Sequence, residues 1–215
     1  MKYIDLENKK LNWYNRNLFY IGTFLVLSIN VFVFLIGKNN WKIGYIDSNW
    51  TDVLNFNNLF ARFVSAFKHY NLQHCLLNCL CFLVAGTYVE RKIGTINLLV
   101  LVFSFAFFGE CAVGANHSGT SWGFSGVNYA FYAYIIVDYI FMFIFRKQSK
   151  VSVIYGAIVL ALIYLATCFC GGTSTFSFKI YPYDLLNNMG HYTSFLTGII
   201  LTLLLQFIKW QMSKK

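Results

Sequence analysis

Residues 122–134 read Trp-Gly-Phe-Ser-Gly-Val-Asn-Tyr-Ala-Phe-Tyr-Ala-Tyr, and the apolar run they open continues to Phe145, where Arg146 and Lys147 stop it. That length suits a helix crossing the hydrocarbon of a bilayer. Ser125 stands at the mouth of this run, flanked by Gly123 and Gly126. A helix start offers free backbone N–H groups and the positive end of the dipole. Such a start suits a serine whose substrate oxygen becomes negative during reaction. Small residues and serines in membrane helices also serve close packing. What decides between the two is whether other spans bring a base and hydrogen-bond donors to the depth of Ser125.

Composition places the whole chain in a membrane. Of 215 residues, 58% are hydrophobic and only 12% charged, against about 25% charged in soluble domains. The net charge of +9 raises the possibility of a nucleic-acid partner, but the lysines and arginines sit mostly in short segments between apolar runs. That is a topology signal and excludes a nucleic-acid groove. The six cysteines include no CxxC pair, so neither a disulfide framework nor a zinc site is expected, and they read as small buried hydrophobes. No HExxH motif is present. No metal and no cofactor is expected.

Six spans are predicted, at Leu18–Ile36, His69–Val89, Ile96–Ala115, Trp122–Phe145, Val151–Cys170 and Met189–Trp210. The connection Gly37–Lys68 carries Trp41, Trp50, Phe56, Phe60 and Phe63, which suits a loop lying in the membrane interface. An even number of spans puts both termini on one side. The tails, Arg91-Lys92 and Arg146-Lys147-Lys150 share that side, which the positive-inside rule makes cytoplasmic. Spans two, four and six then all enter from outside. His69, His74 and Asn78, Ser125, and His191 therefore share one depth near the outer face. Polar groups at such a depth are functional candidates.

His74 and Asn78 are four residues apart, on one helix face and roughly 6 Å apart along the axis. Either alone reads as an interhelical hydrogen bond; together with Ser125 and His191 they read as donors for an oxyanion. His191 lies beside a stripe of Gly190, Ser194 and Gly198, while span four carries Gly126, Ala130 and Ala133. Small residues let two backbones approach closely, which brings His191 to Ser125 as general base. Asp138 is thirteen residues from Ser125, roughly 20 Å deeper, and is expected to pair with Arg146 or Lys147 near the cytoplasm. A dyad, not a triad, follows. Gly-Phe-Ser-Gly-Val also lacks the second glycine of a soluble nucleophile elbow. Blander roles are expected for His69, capping span two, for His117 in a loop, and for Glu90, anchoring the cytoplasmic turn through backbone N–H bonds. Asn30 and Asn128 are expected to bond across helices.

These residues resemble the rhomboid family of intramembrane serine proteases, over about Arg62 to Gly198. The run His69-x4-His74-x3-Asn78 with Gly86, Glu90 and Gly94, the Gly123-x-Ser125-Gly126 segment, and His191 with Gly198 are similar to that family's motifs. The resemblance implies an all-α membrane protein, a six-transmembrane-helix rhomboid-like bundle with both termini cytoplasmic. It implies Ser125 as nucleophile, His191 as base, and His74, Asn78 and the Ser125 N–H as the oxyanion site. Gly123, Gly126, Tyr129 and Gly198 support them, with the Tyr129 ring packed on the histidine. Arg62 resembles the arginine of a Trp-Arg motif in the first loop. Ala61 stands where that loop carries tryptophan, which predicts a different anchor, Phe60. Ser194 stands for a usual glycine, which predicts a looser approach of span six.

The expected organisation is a short cytoplasmic tail at 1–17, a catalytic domain at 18–210 and a second tail at 211–215, with no appended domain or seventh span. The expected partners are transmembrane protein substrates and the lipid bilayer, with no nucleic acid. The setting is the plasma membrane of a bacterial cell, with the site open to the extracytoplasmic side. Span five and the Gly171-Gly172 loop are expected to move as gate and cap. The alternative is a catalytically inactive relative that binds or escorts membrane segments. A small transporter is disfavoured because neither internal repeats nor charged midplane residues are present.

Overall fold

The computed structural model describes residues 20–37, 63–116, 123–145, 150–171, 176–178 and 180–212 except 181, 183, 184 and 187. Six helices of 17 to 24 residues run through them: α1 (Ile21–Gly37), α2 (Leu72–Ile93), α3 (Thr95–Asn116), α4 (Ser125–Phe145), α5 (Lys150–Cys168) and α6 (Met189–Met212). Three are long and apolar enough to cross a membrane, over Leu72–Ile93, Ser125–Ile144 and Met189–Ile208. Shorter apolar helices cover Ile21–Ile36, Thr95–Gly109 and Val153–Leu165. The protein is an all-helical membrane protein apart from one small ribbon. Strand β1 (Phe169–Gly171) pairs antiparallel with β2 (Phe176–Phe178), Phe169 opposite Phe178. This departs from the expected span end at Cys170: α5 stops at Cys168, and Phe169 and Cys170 pair in the ribbon instead of extending the helix. Trp41, Trp50, Phe56, Phe60, Ala61, Arg62, His117, Arg146 and Lys147 lie outside the described residues.

Local chemistry sets the helix ends. Helix α2 starts at Leu72, three residues later than expected, because Asn71 is extended (φ −148°, ψ 172°) and its side chain accepts from the His74 N–H at 2.8 Å. Asn71, not His69, is therefore the cap. Gly94, at φ +82°, closes α2 and donates its N–H to the Glu90 carbonyl at 2.8 Å. Gly123, at φ +124°, cannot be helical, so α4 begins at Ser125 and not at Trp122. Asn188 caps α6, its Oδ1 accepting from the N–H of Gly190 (3.0 Å) and His191 (3.3 Å).

Helix α4 is the centre of the bundle, contacted by α2, α3, α5 and α6. Phe82 meets Phe124 and Phe131, and Phe131 meets Phe105, in edge contacts 5.0 to 5.5 Å between ring centres, and all four are fully buried. In lipid such packing holds helices together by dispersion, since the surrounding tails are as apolar as the side chains. Leu35, Phe32, Ile158, Leu204 and Phe207 point outward, exposed.

Two polar clusters pin the end of the bundle remote from Ser125. Glu90 is buried and accepts from the N–H of Gly22 (2.9 Å) and Thr23 (2.8 Å) and the hydroxyls of Thr23 (2.7 Å) and Thr95 (2.6 Å). Its backbone partners belong to the start of α1, where the dipole favours a carboxylate, while Thr95 ties it to the turn after α2. Asp138 pairs with Lys92 at 2.7 Å and accepts from Gln206 Nε2 at 3.2 Å. The expected partners Arg146 and Lys147 lie outside the described residues; the Lys92 ammonium also sits 4.4 Å from the Tyr88 ring centre. Asn30, expected to bond across helices, turns its Nδ2 back to the Val26 carbonyl of its own helix at 2.9 Å.

Candidate active site

The three helices that carry the candidate residues are the three of full membrane-spanning length. The first turn of α4 presents Ser125, and the first turn of α6 presents His191. Their side chains meet, with His191 Nε2 2.7 Å from Ser125 Oγ. At that distance a neutral imidazole nitrogen can accept the hydroxyl proton as the oxygen attacks. Tyr129, one turn beyond Ser125, stacks on the His191 ring with centroids 4.5 Å apart and planes 28° apart. The stack fixes the plane of the imidazole and so aims Nε2.

Close contact of α4 and α6 makes this meeting possible, and theirs is the most extensive helix pairing among the described residues. Gly198 lies directly on α4: a Cβ there would stand 2.4 Å from the Ala130 carbonyl oxygen and 2.7 Å from its Cα. Ser194, expected to loosen the contact, does not. It is buried, and it faces two glycines: a Cβ on Gly126 or Gly109 would fall 2.9 or 3.0 Å from its hydroxyl oxygen. The missing glycine on α6 is offset by glycines on α4 and α3.

His74 comes to the same place from α2. Its ring lies against Gly123, where a Cβ would meet His74 Cε1 at 2.6 Å and Nε2 at 2.9 Å, and stand 3.6 Å from Ser125 Oγ. Gly123 is thus required twice, by its positive φ and by the imidazole above it. Asn78, one turn deeper on α2, is buried. Asn128 Nδ2 donates to both its carbonyl oxygen and its Oδ1, each at 3.1 Å. The Nδ2 of Asn78 has no hydrogen-bond partner among the described residues. The His74 ring and the first N–H groups of α4 thus lie at the serine, and the Asn78 amide lies one turn deeper on α2. Together they can neutralise a negative oxygen formed beside Ser125.

His69 has a role that spacing did not reveal. It is buried, with its ring edge-on to His74 at 5.2 Å. The Phe124 N–H points at its Nε2 from 3.5 Å, the long limit of a hydrogen bond, so that nitrogen is the acceptor and Nδ1–H donates to the Phe67 carbonyl at 3.1 Å. His69 therefore supports the turn that holds Ser125. Burial, and next the nearby His74, push its pKa down to about 3 from the ordinary 6.5. With the folded value below the unfolded one, the unfolded chain binds the extra proton between about pH 6.5 and 3, and stability is lost as pH falls through that window. The expected loss is about 3 kcal/mol by pH 4. Thermal unfolding in detergent from pH 7 to 4 checks this: His69→Gln, which keeps an acceptor, is expected to lose markedly less stability than wild type.

Among the described residues no group of three or more His, Cys, Asp or Glu could hold a metal ion. Asp138, held by Lys92, takes no part in the serine–histidine pair. Cys75 and Cys168 are buried free thiols, while Cys79 and Cys81 are half-buried. A protein-family model described as the rhomboid domain matches residues 57–207. No curated protein matches the chain.

Proposed function

The chain belongs to the rhomboid family, and from that premise we propose that it is an intramembrane serine endopeptidase working through a Ser125–His191 dyad. Its family consists in general of serine proteases that act on transmembrane substrates within a membrane. The observation that carries the finer reading is the 2.7 Å approach of His191 Nε2 to Ser125 Oγ.

In this reading Ser125 Oγ attacks the scissile carbonyl carbon while His191 Nε2 takes the hydroxyl proton. The carbonyl oxygen becomes negative and is met by His74, Asn78 Nδ2 and the Ser125 N–H. His191 then gives the proton to the leaving amine, the C–N bond breaks, and an acyl-enzyme remains on Ser125. Water, deprotonated by the same histidine, hydrolyses it. Helix formation hides a substrate's carbonyls, so segments with helix-weakening residues near the outer boundary should be preferred. All six helices cross the membrane, with both termini in the cytoplasm and the site toward the outside; the placement of lysine and arginine supports this orientation. Helix α5 is the gate. Its sparse packing on the rest of the bundle and its exposed Ile154, Ile158, Leu162 and Leu165 support that assignment.

Purified wild type and Ser125→Ala, compared on a synthetic transmembrane substrate and with a serine-directed phosphonate, test the reading. Wild type is expected to cleave and to be labelled, the variant to do neither. Equal cleavage or equal labelling rules the serine mechanism out.

A further inference from the structure

We infer that Asn128 is a positioning residue of this site, holding the Asn78 amide in the one orientation that presents N–H groups to the reaction. The inference rests on the proposed function and deepens it. Both side chains are deeply buried, Asn78 at 6% exposure and Asn128 at 2%. An amide there can sit either way round, and only one way offers a donor for an oxyanion. A backbone carbonyl decides the matter, because it can only accept.

Asn128 Nδ2 lies 3.1 Å from the Asn78 carbonyl oxygen, so the group Asn128 turns to α2 must be its NH2. The same Nδ2 lies 3.1 Å from the Asn78 side chain, whose facing atom must then be Oδ1. Rotating Asn78 would set two donors against each other; rotating Asn128 would set its Oδ1 on the carbonyl. The two contacts thus force Asn78 Nδ2 away from Asn128, where it has no partner among the described residues. A buried amide donor left this way is costly unless something forming during the reaction completes it. Its place supports that use. Asn78 lies one turn below His74 on α2, and Asn128 lies one turn below Ser125 on α4, so the bridge joins the two helices just beneath the nucleophile.

Replacing Asn128 with aspartate separates positioning from simple helix adhesion. Buried beside Asn78, the new side chain keeps two bonds as a protonated acid: the hydroxyl that replaces Nδ2 donates to the Asn78 carbonyl, and the same oxygen accepts from an Asn78 amide turned round to meet it. Adhesion survives while the donor is withdrawn. Wild type, Asn128→Asp, Asn78→Ala and the double variant are compared for kcat and KM on a synthetic transmembrane substrate and for unfolding midpoint in detergent. Expected for Asn128→Asp is a fall in kcat of about 10- to 100-fold with KM and midpoint little changed. The double variant is expected to be no slower than Asn78→Ala alone, because Asn128 acts only through Asn78. Wild-type kcat in Asn128→Asp, or multiplicative losses in the double variant, overturns the inference. A lowered midpoint with unchanged kcat overturns it equally and leaves Asn128 as a helix contact. Absence of cleavage by wild type sinks the protease reading itself, a result distinct from all of these.

Discussion

Replacing His191 with alanine is expected to lower kcat on a transmembrane substrate by about 10⁴-fold and to slow phosphonate labelling of Ser125 in step. The serine hydroxyl is a poor nucleophile until a base takes its proton. His191 Nε2 stands 2.7 Å from it, close enough to be that base. Both assays need that proton removed, so both should fall. Folding should suffer little: His191 is half-buried at the first turn of α6, and the main loss is its stack on Tyr129, worth about 1 kcal/mol. Initial rates and labelling rates, with the unfolding midpoint as control, read this out. Labelling at the wild-type rate would show that Ser125 draws on another base.

The second large effect is expected far from the reacting atoms. Gly198→Ala places a methyl 2.4 Å from the Ala130 carbonyl oxygen and 2.7 Å from its Cα. Those are backbone atoms of the central helix and cannot rotate aside. Helix α6 must therefore shift outward, at a cost of about 1–3 kcal/mol. His191 lies two turns away on the same helix and moves with it, and a misplacement of about 1 Å can reduce turnover by about 10²-fold. Because the obstacle is backbone, a second substitution of Ala130 by glycine should not restore either property. Unfolding in detergent and kcat measured together check the prediction; wild-type values for both would mean that α4 and α6 do not need this contact.

The apolar runs, their order and the family motifs were legible in the chain, since each depends on local composition or on spacing along one helix. His74 and Asn78 sharing a face is a consequence of four-residue spacing alone. Helix ends were less legible. Asn71 and His69 are both polar residues before the same apolar run, and only the extended backbone of Asn71 makes it the cap. Partner choice was least legible. Asp138 could reach a basic residue following its own helix or one ending α2; the structure joins it to Lys92. Ser194 reads as a lost glycine because spacing along α6 does not reveal that it faces Gly109 of α3 and Gly126 of α4.

By itself, then, the sequence determined that this is a helical membrane protein of the rhomboid family, and which helices carry Ser125, His74, Asn78 and His191. Hydropathy and helical periodicity are properties of a chain read one segment at a time. Only the tertiary structure decided that His191 Nε2 comes to 2.7 Å from Ser125 Oγ, that the His74 ring covers Gly123, and that Asn128 Nδ2 meets the Asn78 carbonyl and Oδ1. Those outcomes depend on how near two backbones can come and which way a side chain turns when they do. Both are set by the atoms of the facing helix, which spacing along one helix does not encode.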